Sequence, residues 1–312
     1  MTDRRRDNPL VTVATVAFNS APFIAEAIDS ILAQDFPDFE LLVCDDGSTD
    51  DTWQIVQRYA DPRIRAIRNE RNLGEYANRN QALRLARGRY ILYIDGDDCL
   101  YPHGLGFMAR ALERFPGAAF ASAQPPCDKF EYPVELAPRE FLSCIFLGPT
   151  VIGANFTQLL FRTESLRACG GFDPRFRTGD THIQLVMGMR QNCLLIGGGL
   201  AWWRNRPGQA SLALHRDHWG VAEMTRYGIE ILEHPLCPLA AEEKRSARKN
   251  LVRTMMRALA ACSRRGRLLH ALRLARYAGV RLGDCGLLFT RQSRPYLRDV
   301  SGANPVRSSD RA

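Results

Sequence analysis

The sequence has no apolar run approaching the roughly 18 residues that cross a bilayer, so no membrane span is expected in it. It also lacks any Cys-x-x-Cys pair. Its nine cysteines are scattered from Cys44 to Cys285, an odd count that points to reduced thiols in the cytoplasm and away from a disulfide framework. Internal repeats and low-complexity segments are absent as well. The opening "MTDRRRDNPLVTVATVAF" sets arginines before an apolar run, as a secretory signal does. That run is short, broken by Thr12 and Thr15, and has no small-residue cleavage site, so a first β-strand is the expectation. At 312 residues, 46% apolar and 24% charged, the chain fits a soluble globular protein of one large domain or two smaller ones.

The net charge of +8 is unevenly spread. Residues 241–300 carry 15 Lys/Arg against 4 Asp/Glu, a local +11, which leaves −3 for the remainder. The arginines there are not interleaved with exposed aromatics and no recognition motif accompanies them, which argues against nucleic acid.

Apolar strands alternate with amphipathic helices through the first hundred residues. Residues 11–18 make a strand; Ser20 and Pro22 then open a helix with Phe23, Ile24, Ala27, Ile28, Ile31 and Leu32 on one face. "FELLVC" (39–44), "RIRAI" (63–67) and "RYILYI" (89–94) are further strands. Between them lie a helix capped by Thr49 or Asp50 and another over 76–86. Such alternation predicts a mostly parallel α/β sheet, with ligands bound beyond the carboxyl ends of its strands. After Phe115 the pattern weakens. Residues 121–140 are expected to form a long irregular excursion, 156–161 a strand, and the chain from about 216 onward basic helices. Leu251, Val252, Met255, Met256 and Leu259 form one apolar stripe, and Leu268, Leu269 and Leu272 begin another. Two readings of this part stay open: a helical hairpin packed on the main domain with its arginines solvated, or a basic face resting on anionic lipid or on a partner.

Two acidic clusters end neighbouring strands: Asp45-Asp46 after "FELLVC" and Asp95, Asp97, Asp98 after "YILYI". Crowded carboxylates repel one another and resist desolvation, and a divalent cation offsets both. Mg²⁺ and Mn²⁺ prefer hard oxygen ligands, and Asp95-Gly96-Asp97 supplies such a half-site with positions left open for a diphosphate. An ordinary surface turn is the plainer account of one such triplet.

"ATVAFNSAPFIAEAIDSILAQDFPDFELLVCDDGSTDDT", "NERNLGEYANRNQALRLARGRYILYIDGDDCLYP" and "GGFDPRF…GD" together resemble the successive signatures of family-2 glycosyltransferases with the GT-A fold, over about residues 10–211. The resemblance implies a Rossmann-like nucleotide-binding sheet in residues 1–215 and a basic helical extension in 216–312. It implies an inverting transferase moving one sugar from a nucleotide-sugar, expected to be UDP-linked, to a hydroxyl of a glycan or lipid-linked glycan in cell-surface polysaccharide synthesis. Asn19, Asp45, Asp46, Asn72, Gly74, Arg79, Asn80, Asp95, Asp97, Asp98, Arg204 and Arg206 would bind the donor. Asp97 and Asp95 would hold Mn²⁺ or Mg²⁺, and Asp180 would act as base. Asp180 equally suits a helix N-cap, and His182 is a weaker candidate for the base.

Trp202 and Trp203 in "WWRNRPGQAS" would either stack on a sugar or be buried. Two departures from the family pattern stand out: Gly179 replaces the usual glutamate before Asp180, and Val16 a frequent proline. The QxxRW signature of processive enzymes is missing, which favours single-sugar transfer. The expected location is cytoplasmic, with peripheral contact at the inner face of the membrane through the basic helices. A non-catalytic nucleotide-sugar-binding protein is the alternative. A sugar-nucleotide nucleotidyltransferase is disfavoured because "VAFNSAPFI" has no glycine-rich loop.

Overall fold

Strand β1, Val11–Ala17, is buried at every position, as a strand covered by helices on both faces must be. It pairs in parallel with β2 (Phe39–Asp45) on one side and β4 (Tyr90–Asp95) on the other, and β3 (Ile64–Arg68) lies outside β2. Helices α1 (Ile24–Leu32), α2 (Thr52–Val56) and α3 (Glu75–Leu85) make the crossovers. The computed structural model describes residues 8–126, 130–148, 155–204, 217–280, 283–284 and 286.

Beyond β4 come β5 (Cys99–Leu100), α4 (Gly104–Arg114), β6 (Ala118–Gln124), β7 (Val134–Leu136) and α5 (Pro138–Phe146). A 3-10 turn, Phe156–Gln158, leads into β8 (Leu159–Arg162), followed by α6 (Thr163–Ala168), α7 (Gly179–Gly188), β9 (Asn192–Gly197) and β10 (Ala201–Trp202). The main sheet has eight strands in the order β3-β2-β1-β4-β8-β6-β9-β7. Only β8 and β7 run against their neighbours. The mostly parallel sheet expected from the sequence is therefore present, and β5 and β10 form a separate antiparallel ribbon.

Alternate residues of each central strand serve opposite cores. Val11, Val13, Leu41, Val43, Leu92 and Ile94 pack with Ile24, Ile28 and Ile31 of α1 and Leu105, Met108 and Leu112 of α4. Ala14, Val16, Leu42, Ile91 and Tyr93 face Leu83, Phe141, Leu166 and Ile183 on the other side.

Three expectations need correction. Residues 121–140 are not an irregular excursion: they include the end of β6, all of β7 and the start of α5. "AAFASAQ" is mostly small residues with no β-branching, so its strand state comes from pairing with β8 and β9 on both sides. Ser20 does not cap α1 through its side chain; its carbonyl accepts from Phe23 and Ile24 in a turn before the helix. Among the described residues of the C-terminal region there are three helices, not two: α8 (Trp219–Glu233), α9 (Ala241–Arg264) and α10 (Leu268–Ala278). The stripe on α9 packs inward as expected, but Leu268, Leu269 and Leu272 point outward and Ala271, Leu274 and Ala278 make the contact instead.

Candidate active site at the carboxyl edge of the sheet

Register places the acidic strand ends together. Ala17 lies opposite Asp45 and Val16 opposite Asp95, so the two clusters flank the end of β1. The chain leaves β1 through Phe18, which is 46% exposed, and Asn19, whose φ of +52° is a left-handed conformation that asparagine tolerates. The Asn19 carboxamide accepts from the Thr49 N–H at 2.9 Å. Its own N–H donates to the Ser48 hydroxyl, which in turn donates to Asp45. Fully buried Asp45 also meets Arg68 Nε at 3.3 Å. Asn19 and Asp45 thus brace the two loops against each other.

Asp46 faces a different loop. Its carboxylate accepts from Asn69 Nδ2 at 2.8 Å, Leu73 N at 2.9 Å and Gly74 N at 3.0 Å. Three of roughly four lone-pair sites are taken, which leaves one acceptor position. Asn72 closes an Asx turn onto the same Gly74 N–H. Gly74 itself has φ +90°, a conformation that side chains rarely adopt, and it starts α3.

The first turns of α3 then supply Glu75 and Arg79. Arg79 is 1% exposed, and its Nη2 reaches Asp95 at 2.6 Å and Glu75 at 3.0 Å, with its Cζ 3.9 Å from the Phe156 ring centroid. Burial opposes its charge, but Asp95 and Glu75 outweigh that and raise its pKa. The Arg79 Nε and Nη1 groups have no partner among the described residues. So deep a guanidinium meets the solvent side only through Asp95, whose side chain is 38% exposed.

Asp180 sits in the first turn of α7 and belongs to the same electrostatic group. Burial raises its pKa; the Arg79 charge pulls it back and Asp95 pushes it up further. Glu75 is raised too, by burial first, then by Asp95 and Asp180 against the pull of Arg79. Asp95, Asp180, Glu75 and Arg79 therefore lie near enough to shift one another's ionisation. The Asp180 side chain accepts from its neighbour Thr181 N at 2.7 Å and caps nothing beyond it.

Gly179 has a steric reason: a Cβ there would stand 2.4 Å from the Tyr76 ring. The Tyr76 hydroxyl donates to Arg177 O at 2.6 Å and accepts from Gly179 N at 2.9 Å, so the aromatic occupies the room a glutamate would need. Asn80, expected near the donor, instead clamps the Phe172 backbone with two bonds of 2.8 Å and fixes the "GGFD" loop.

The β5–β10 ribbon lays the "WWR" segment over the other acidic loop. Asp98, 1% exposed, accepts from Thr157 Oγ1 at 3.0 Å and Arg204 N at 3.1 Å. Burial, and next the Asp95 charge, push its pKa up to about 7. The Arg204 Nε donates to the Asp97 carbonyl at 2.9 Å, and its Nη2 pairs with Glu26. Its guanidinium lies over Trp202, at 4.4 Å from the ring centroid. Trp202 and Trp203 are both 41% exposed. Arg206 lies outside the described residues.

No group of three or more protein ligands suited to a metal occurs among the described residues. The side chains of Asp95 and Asp97 are both partly exposed hard-oxygen donors. That pair fits Mg²⁺ or Mn²⁺ as a half-site completed by phosphate oxygens, and not as an all-protein cage.

His182 is buried between Phe176 and Tyr227, at ring distances of 4.6 and 5.5 Å, and burial lowers its pKa to about 4. Two contributors went unread in the sequence. Glu75 lies inside a quoted motif, but only the fold shows it beside Asp180. Glu223 of α8 is 2% exposed and accepts from Arg177 N at 2.9 Å, Thr178 N at 2.8 Å and Thr178 Oγ1 at 2.7 Å, holding the segment that delivers Asp180. No local signal marks it, because its partners lie 45 and 46 residues earlier.

The family model described as glycosyl transferase family 2 matches residues 12–170. Over 185 residues the chain is 37% identical to the putative colanic acid biosynthesis glycosyl transferase WcaA of Escherichia coli K12, covering 54% of this chain and 65% of that protein. Over 89 residues it is 42% identical to the Escherichia coli UDP-Glc:alpha-D-GlcNAc-diphosphoundecaprenol beta-1,3-glucosyltransferase WfaP, covering 28% of this chain and 36% of the relative. The aligned part thus spans less than two thirds of either relative. The solved structure of S. aureus TarS in complex with UDP-GlcNAc superposes with a TM-score of 0.62 at 18% identity, over 87% of this chain and 93% of that one. At that identity the likeness is one of fold.

Proposed function

Because this chain belongs to glycosyl transferase family 2, we propose that it transfers a single sugar, with inversion, from a UDP-linked donor to a hydroxyl of a glycan or lipid-linked glycan in polysaccharide synthesis. What supports this reading is one electrostatic group in which buried Arg79 pairs with Asp95 at 2.6 Å and its charge reaches Asp180. In such a group one carboxylate suits the side of a diphosphate and the other that of a base. Relatives support the substrates by name: WfaP is a UDP-glucose-dependent enzyme acting on a diphosphoundecaprenol-linked sugar, and TarS was solved with UDP-GlcNAc.

In this reading the free acceptor site of Asp46 receives a ring N–H of the base, and half-exposed Phe18 offers a ring face to it. Asp180 accepts the proton from the acceptor hydroxyl as that oxygen bonds to the anomeric carbon. The bond from that carbon to the donor diphosphate breaks, and the electron pair leaves with the diphosphate. The raised pKa of Asp180 makes it a stronger base than a solvated carboxylate. Arg79 holds the Asp95 carboxylate through their 2.6 Å ion pair, so it positions that group and does not touch the donor. Asp97 and Asp95 would hold Mn²⁺ or Mg²⁺, which when bound neutralises charge on the departing diphosphate.

Transfer assays and calorimetry test this together. Asp180→Asn should keep nucleotide-sugar affinity within about threefold while transfer falls roughly 10²–10⁴-fold, the usual contribution of a general base. Asp97→Asn or EDTA should abolish turnover. Full activity in EDTA, or in the Asp180 variant, sinks the mechanism.

A further inference from the structure

We infer that the outer face of α10 is a docking surface for an anionic lipid bilayer. Leu268, Leu269 and Leu272 are 61%, 75% and 65% exposed, far more than three neighbouring leucines of one folded helix ordinarily are. Arg273 and Arg276 share this exposed face, because the positions 268, 269, 272, 273 and 276 fall within one side of the helix. Ala271, Leu274 and Ala278 on the opposite side pack against α8 and α9, so the helix is already anchored, and among the described residues nothing is packed on its leucines.

Charge identifies the occupant. Residues 244–283 contain 12 Lys/Arg and not one Asp or Glu. Arg264, Arg265, Arg273 and Arg276 are exposed, and none has a carboxylate partner among the described residues. Beside the leucines, a groove of about 760 Å³ between α8, α9 and α10 is lined by Trp219, Arg226, Arg248, Arg273, Arg276 and Tyr277. Glu230 and Glu233 also line it, but they are engaged by Arg226 and Arg248. Arg273 and Arg276 are therefore left to attract phosphate headgroups while the leucines enter the acyl boundary, the division of labour of an interfacial helix. A neutral protein partner would gain nothing from the arginines, and a second copy would bring its own arginines against them.

The surface also connects through aromatic contacts to the segment before Asp180. Trp219 packs edge-on against Tyr277 and His270 of α10, and the Arg177 guanidinium lies 5.5 Å from its ring centroid. Arg177 stands three residues before Asp180. Docking through α10 would hold the base helix at a fixed station above the membrane. The inference does not depend on which donor or acceptor is used.

Co-sedimentation of the full chain with vesicles provides the test. Wild type should pellet with vesicles of 30% phosphatidylglycerol in phosphatidylcholine, and about tenfold or more weaker with phosphatidylcholine alone or in high salt. Arg273→Gln/Arg276→Gln and Leu269→Ser/Leu272→Ser should each lower binding to the anionic vesicles by roughly tenfold or more, with unchanged melting temperature and unchanged nucleotide-sugar affinity. Wild type left in the supernatant would overturn the inference, as would variants that bind like wild type. So would a concentration-dependent dimer in sedimentation velocity that the leucine variant abolishes, since a second copy would then cover the face.

Discussion

Asp180 carries its charge where the surroundings make charge costly. Burial dominates its environment and raises its pKa above the unfolded value. Between those two values the native state binds more protons than the unfolded one, so stability contributed at low pH is lost as pH rises through the native pKa. Above that raised pKa the ionised side chain therefore destabilises the fold. Asp180→Asn should melt at a higher temperature than wild type at pH 7.5, with the difference shrinking as the pH is lowered through the raised pKa. Differential scanning calorimetry across pH checks this; a variant less stable at neutral pH would show that local bonds, such as the one from Thr181, outweigh desolvation. Greater stability with lost transfer is the trade that the proposed role of Asp180 as base predicts. Gly179 makes the companion point in steric terms. Its neighbour Tyr76 fills the space, so the departure from Glu-Asp follows from one aromatic ring 103 residues away.

At the scale of elements, α7 does not hold its own start. The two N–H groups just before it, of Arg177 and Thr178, donate to the buried carboxylate of Glu223 on α8, and the Thr178 hydroxyl donates to Glu223 and to Tyr227. Hydrogen bonds to a charged acceptor contribute about 1.5–3 kcal/mol, and the amide of glutamine would offer the wrong group to one of these donors. Glu223→Gln should lower the melting temperature by several degrees and reduce kcat several-fold, with donor KM unchanged because α3 and β4 are untouched. A kcat per folded molecule equal to wild type would show that Glu223 serves stability alone. The ribbon of β5 and β10 has a comparable role, since through it Arg204 reaches Asp97 and Asp98 from more than a hundred residues away. Helix periodicity was readable in α10, but period alone does not say which side packs. Two leucine-rich turns look like a core stripe until the neighbouring helices select the alanine side.

At the scale of the molecule, the helices after residue 216 are not a detachable addition. Tyr227, Ile231, Leu232, Ala247 and Leu251 belong to the same core as Phe141, Phe146 and Phe176. Residues 1–216 expressed alone should fail to melt cooperatively and should bind a hydrophobic dye, because that apolar surface would face water. A sharp calorimetric transition would instead establish residues 1–216 as an independent domain. Among the described residues no helix is long and apolar enough to cross a membrane. Among the described residues of the basic helices, the strongly exposed apolar ridge is the one on α10.

Short-range pattern in the sequence was enough to specify the parallel strands, their crossovers and the acidic tips at one edge. Each depends on residues adjacent in the chain and on the two backbone periods. The motif-bearing loops were legible for the same reason. What the tertiary structure decided was the use of each side chain: Asn80 as a loop clamp, Arg79 as a buried partner of Asp95, and Glu223 as the anchor of the Asp180 helix. Strand state in β6 and the outward turn of Leu268, Leu269 and Leu272 were settled there too. Those outcomes depend on desolvation and on partners distant in sequence, and neither is encoded in the spacing of nearby residues.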